Sequence, residues 1–215
     1  MRIPKPAGRP RDAVKRTRRL GLQSAPSRAL LVTAADDLLI EEGAHAISAR
    51  RVAERAGLKP QLVHYYFRTM DDLLIAVFRG AQAGYLSRHN GALATRQPLN
   101  ALWKLNNDPR GTRRMMEFIV MAGRREAVRK VIMESAAQFR KLQINAISRV
   151  LKERGIDRRD FPPAGVALLM ATLARGVVME ETLGISLGHT ELRSMVRRLL
   201  TQLEASARRP IGPLA

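Results

Sequence analysis

The chain has 215 residues, 46% apolar and 27% charged, with no cysteine. That is enough apolar matter for a packed core, and it excludes disulfides, Cys-ligated zinc, iron–sulfur clusters and thiol nucleophiles. A formal net charge of +19 and a pI near 11.6 point to a polyanionic partner, nucleic acid ahead of an anionic membrane surface, although an Ala- and Arg-rich composition yields such charge by drift as well.

Residues 1–28 carry nine Lys or Arg against the single acid Asp12, while 29–90 carry seven of each sign. With Pro4, Pro6, Pro10 and Pro26 and few large apolar groups, residues 1–26 read as a basic mobile arm that cannot offset its ordering entropy. Within it AGRPRD resembles the core of an AT-hook, an extended Arg-Pro pair suited to a narrow minor groove, and a merely solvated tail reads equally well.

From Ser27, a candidate N-cap, Leu30, Leu31, Ala34, Leu38 and Leu39 recur at helical spacing until Gly43. Ser48 caps a second, short helix, SARRVAERAG, with Val52, Ala53 and Ala56 inward. Gly57 lets the chain reverse, and Pro60 opens a third helix, KPQLVHYYF, so the three helices contain a helix-turn-helix. In the third, Val63, Tyr66 and Phe67 are spaced to pack inward, leaving Lys59, Gln61, Leu62, His64 and Tyr65 toward solvent or a ligand. Thr69 and Asp72 form an acidic variant of the capping box for a long fourth helix from Met70 to about Leu86. A polar stretch over 87–98 follows, then helical segments around 99–105, over 112–123, 126–153, 162–184 and 190–206. No segment alternates like a strand, and no solenoid-length repeat is present, so the fold class is all-α.

The stretch AISARRVAERAGLKPQLVHYYFRTMDDLLIAVF, with its Ser-capped helix ending in Ala-Gly, its turn and its aromatic pair, resembles the DNA-binding domain of the TetR family of bacterial transcription regulators. The resemblance covers about residues 27–78. It implies a helix-turn-helix domain over 27–74, joined by a long helix to a helical effector-binding and dimerisation domain over 75–207, with a tail at 208–215. It also implies a homodimer through helices 162–184 and 190–206, a double-stranded palindromic operator, a small-molecule effector, and repression released by that effector.

By the same resemblance His64 and Tyr65 face the groove, Arg50 reaches a base or the backbone, and the Tyr66 hydroxyl reaches a phosphate. The chemistry of the other side chains agrees. Lys59 and Gln61 suit purine edges, Gln61 adenine above all, and Leu62 suits a thymine methyl. Ser48, Arg51 and Arg68 suit phosphates that fix register. Met70 departs from the Lys common in the family, which leaves that phosphate contact to Arg68 or the arm.

Trp103, Met115, Phe118, Met121 and Phe139 are candidate lining for an adaptable apolar cavity, together with Met116 and Met133, or else ordinary core. His45, His89 and His189 lack metal-ligand spacing and read as structural, and the pairs at 113–114, 124–125 and 180–181 as solvated faces. No metal, cofactor or catalytic grouping is expected, so the protein is not read as an enzyme. A cytoplasmic, nucleoid-associated location without membrane contact is expected: the apolar run over 164–174 ends at Arg175, short of a span, and no signal-peptide core follows the basic start. A nonspecific nucleoid-type DNA-binding protein is the alternative.

Overall fold

The structure is a computed structural model that describes residues 11–205, with side chains from Pro26 onward. Among the described residues every regular element is helical. They run α1 (Arg11–Glu42), a 3₁₀ turn (Ala44–Ala46), α2 (Ala49–Arg55), α3 (Gln61–Tyr66), α4 (Met70–Leu93), α5 (Pro98–Asn106), α6 (Pro109–Ala122), α7 (Glu126–Glu153), α8 (Pro163–Thr182) and α9 (His189–Ala205).

Two boundaries differ from the sequence expectation. Helix α1 begins at Arg11 and passes through Pro26, so Ser27 lies inside it. The Arg, Lys, Leu and Ala of that segment are good helix formers, which work against the roughly 3 kcal/mol cost of an interior proline. The AT-hook-like AGRPRD lies mostly outside the described residues. Helix α4 continues to Leu93, so most of the polar stretch over 87–98 is helical, its buried face continued by His89 and Ala92.

The helix starts are locally specified. Ser48 Oγ accepts from the Arg51 N–H at 3.3 Å to cap α2, and Thr69 and Asp72 cap each other's amides at 3.0 and 3.1 Å to begin α4. Helix α5 has no such cap of its own, since Gln97 makes no side-chain cap bond. Its first amides donate instead to Glu204 of α9, Leu99 at 2.5 Å and Asn100 at 3.4 Å, with Asn100 Nδ2 adding a bond at 2.6 Å. A carboxylate at a helix N-terminus meets both orphan donors and the positive end of the helix dipole.

Two cores form. The first joins α1 to α4 around Leu31, Leu38, Leu39, Val52, Val63, Phe67, Leu73 and Phe78, and takes in Phe118 and Met121 of α6 and Val128 of α7. The second joins α5, α7, α8 and α9 around Leu99, Trp103, Ile147, Leu151, Met170 and Leu203. Leu30, spaced to point inward by the sequence, is exposed.

Phe118 is fully buried, its ring edge-on to Phe78 at 5.1 Å. Truncation there leaves a cavity between α1, α4 and α6. Phe118→Ala is expected to lower the unfolding free energy by about 3–5 kcal/mol, read as a fall in the urea midpoint at unchanged slope.

Candidate functional site

The helix-turn-helix is held by a few local contacts. Val52 and Ala53 of α2 and Val63 of α3 are buried against Leu31, Leu38 and Leu39 of α1. Between them the Leu58 N–H donates to the Ala53 carbonyl at 2.8 Å, and Gly57 takes φ +66°, the left-handed conformation that closes α2. Phe67 ends α3, buried in the core with the Arg28 guanidinium 5.1 Å from its ring centre.

With Val63 and Phe67 inward, the opposite face of α3 is set. Gln61, His64 and Tyr65 lie on one exposed stripe at the three- and four-residue spacing of a helix, with Lys59 exposed just before it. Tyr65 is 68% exposed, its ring edge-on to Tyr66 at 4.9 Å. Arg50 on α2 and Arg68 after α3 are also exposed. Among the described residues none of the side chains of Arg50, Lys59, Gln61, His64 and Arg68 has an intramolecular hydrogen bond or ion pair.

Two residues stand differently from the sequence reading, Leu62 and Arg51, while Tyr66 packs inward as its spacing predicts. Leu62 is half-buried against the first core, so its side chain supports α3 from behind. Arg51 is held by Glu42 through two bonds of 2.7 and 2.9 Å, beside the Arg55–Glu41 pair at 2.8 Å, so its charge is already matched within the domain. Tyr66 is half-buried on the core.

The predicted cavity residues are not brought together. Met115, Phe118 and Met121 pack into the first core, Trp103 into the second, and Met133 is exposed. Only Phe139 meets polar company, its ring edge-on to Tyr85 at 4.7 Å and to His89 at 5.6 Å. The Tyr85 hydroxyl donates to Asn106 Oδ1 at 2.7 Å, and burial pushes its pKa up to about 12. His89, read from sequence as a lone structural histidine, is buried there, and nothing in the local pattern of α4 marks it. His189 sits 2.7 Å from Glu180, and Arg193 pairs with Glu181 at 2.8 Å, so the acidic pair over 180–181 binds α8 to α9 rather than facing water alone. Among the described residues no group of three or more metal-ligating side chains forms.

Residues 31–77 match the family model described as bacterial regulatory proteins, tetR family. This segment is a TetR-family DNA-binding domain. None of the curated proteins matches the sequence. Among solved structures the chain is similar to a protein described as a transcriptional regulator from Saccharomonospora viridis in complex with choline, with TM-score 0.70 and 18% identity over 82% of this chain and 96% of that one. It is similar as well to a TetR transcription regulator from Haloarcula marismortui (TM-score 0.65, 20% identity, 84% and 97% covered) and to a protein described as a TetR-family transcriptional regulator from Rhodococcus sp. (0.65, 19%, 85% and 98%). At these identities the likeness establishes the shared fold along most of the chain. The TetR-like fold thus extends beyond the matched domain.

Two glycines in open surroundings separate backbone conformation from packing. An added Cβ meets nothing within 4 Å at either Gly57 (φ +66°) or Gly91, which lies within α4. Gly57→Ala is expected to destabilise by about 1–2 kcal/mol through the left-handed φ, and Gly91→Ala to stabilise by about 0.5–1 kcal/mol through helix propensity. Denaturant titration of the two variants, with shifts of opposite sign, checks this.

Proposed function

We propose that the protein is a dimeric, sequence-specific transcription repressor whose α3 reads the major groove of a palindromic operator and whose C-terminal domain releases DNA when it binds a small molecule. The observation that carries the reading is the stripe on α3. Gln61, His64 and Tyr65, flanked by Lys59 and Arg50, are exposed on the face opposite the buried Val63 and Phe67. Polar side chains held ready on a rigid short helix suit base edges, while Ser48, Tyr66 and Arg68 suit the flanking phosphates. Arg51 engages Glu42 through Nη2 alone, so it meets a phosphate with part of its charge already matched.

Dimerisation is supported by what α8 and α9 leave uncovered. Leu168, Leu169 and Met179 on α8 and Met195 and Leu199 on α9 are all exposed. Among the described residues α8 is the one helix long and apolar enough by composition to cross a membrane, with mean hydropathy 1.3. One face of it packs on α5, α6 and α7, and Arg175 interrupts it. A second copy covering the other face would place two α3 helices one helical turn of DNA apart, about 34–36 Å. Effector binding is supported by the fold shared with a protein that holds choline, and by α6, which lies in both halves of the molecule. Location with the chromosome follows from the same reading, and catalysis has no part in it.

Selection of bound DNA from a random pool at near-physiological salt is expected to return a two-fold symmetric motif. Gln61→Ala and Arg50→Ala are each expected to weaken binding to it about 5- to 150-fold, by the 1–3 kcal/mol of a base contact, with nonspecific binding kept. Tight binding without any enriched motif would replace this reading with that of a nonspecific nucleoid-type protein. Separately, Leu169→Glu is expected to shift the protein from dimer to monomer in sedimentation velocity and to abolish binding to the two-fold site. An unchanged dimer would place the interface elsewhere.

A further inference from the structure

The interior between α4, α7 and α8 holds polar side chains that the protein itself leaves unsatisfied. His89 is 1% exposed, and neither Nδ1 nor Nε2 makes a well-formed hydrogen bond, although the side chain of the neighbouring Asn90 lies within reach. A buried imidazole without partners costs stability unless something else supplies them. Burial also pushes its pKa below the ordinary range, so the ring is neutral and offers one donor and one acceptor. Phe139 and Tyr85 wall it in, and the buried Gln143, one turn beyond Phe139, lies within hydrogen-bonding reach of Tyr85.

Beside Phe139 on α7 stands Arg140, whose Nη1 is buried without an acceptor. Burial disfavours the charge on Arg175 of α8, and the nearby Arg140 adds to it. Among the described residues neither guanidinium has a carboxylate within ion-pair distance. Two other half-buried cations are paired: Arg114 binds Asp36 through two nitrogens, and Arg193 binds Glu181. Two half-buried guanidiniums on adjoining helices, neither matched by a carboxylate, leave room for one anion.

We propose that this cluster is the effector site and that its ligand is a small organic carboxylate. The carboxylate bridges Arg140 and Arg175, the apolar body lies against Tyr85 and Phe139, and His89 and Gln143 meet a further polar group. The inference rests on the reading that the C-terminal domain binds an effector, and it names the chemical class. A carboxylate between two guanidiniums gains charge-assisted, forked hydrogen bonds and removes their mutual repulsion. A neutral ligand leaves that repulsion in place, and a cationic one adds to it.

The test uses the full chain with benzoate and octanoate, each against its own amide at equal concentration and ionic strength. Either carboxylate is expected to raise the melting temperature by about 2–4 °C more than its amide. Arg140→Gln and Arg175→Gln are expected to erase that difference. Arg140→Lys, which keeps the charge, is expected to keep part of it, and serves if either Gln variant does not fold. The site is overturned if neither carboxylate exceeds its amide, or if the excess survives in the variants that remove the charge. Gel-shift on the selected operator separates the two readings. A carboxylate that stabilises through Arg140 yet leaves DNA bound keeps the site and defeats the switch. Release of DNA by a neutral or cationic compound, with no preference for carboxylate, keeps the switch and defeats the site.

Discussion

Helix α6 belongs to two parts of this molecule at once, and that sharing is the constraint on which the rest depends. Its Phe118 is sealed into the core of the DNA-binding domain against Phe78. Its polar side grips α1, where Arg114 forks onto Asp36 and Arg110 reaches Asp37 at 2.9 Å. Glu117 accepts from the Ala44 N–H at 2.8 Å, holding the turn that leads into α2. The corner after α6 adds Arg125 on Asp71, at the start of α4. Surface ion pairs are individually weak. Here they flank a fully buried aromatic, so they fix the orientation of an element that burial already holds.

The consequence is mechanical. Phe78 of α4, the turn before α2 and the C-terminal part of α1 all touch one helix, and α6 in turn packs on α7 and α8. A displacement of α7 or α8 therefore has a route to the frame that carries α3. Packed interiors switch between discrete arrangements rather than deform smoothly, which suits a two-state response to a ligand. The two guanidiniums of α7 and α8, Arg140 and Arg175, stand where such a displacement would begin. Their repulsion acts between the two helices that a bridging anion would draw together.

The DNA-binding half was legible in the sequence because its determinants are local. Ser48, Gly57, Pro60 and the Thr69–Asp72 pair each act within a few residues of themselves, and the inward spacing of Val52, Ala53, Val63 and Phe67 fixes which face of α3 is left outside. Even there the tertiary fold decided details. Leu62 turns toward the core, and Arg51 is occupied by Glu42, a residue of α1 that spacing within α2 does not bring to mind. Extension of α1 back to Arg11 through Pro26 also escaped the sequence, because a proline usually marks a boundary.

In the other half, composition and periodicity determined that there would be helices of roughly the lengths observed, and little more. Apolar spacing says that Trp103, Met115, Phe118 and Met121 are inside; it does not say inside which core, and the structure divides them between two. The cap of α5 comes from Glu204, more than a hundred residues along the chain. The unsatisfied groups come from different helices, His89 from α4 and Arg140 from α7, with the unpaired Arg175 on α8. The sequence by itself determined the helix-turn-helix, its exposed stripe and the cationic character of the chain, since short-range backbone and capping physics govern those. Which helices meet, and therefore which polar groups are left facing one another without partners, only the tertiary structure decided, because contacts between distant segments follow from how whole helix faces pack and not from any local pattern.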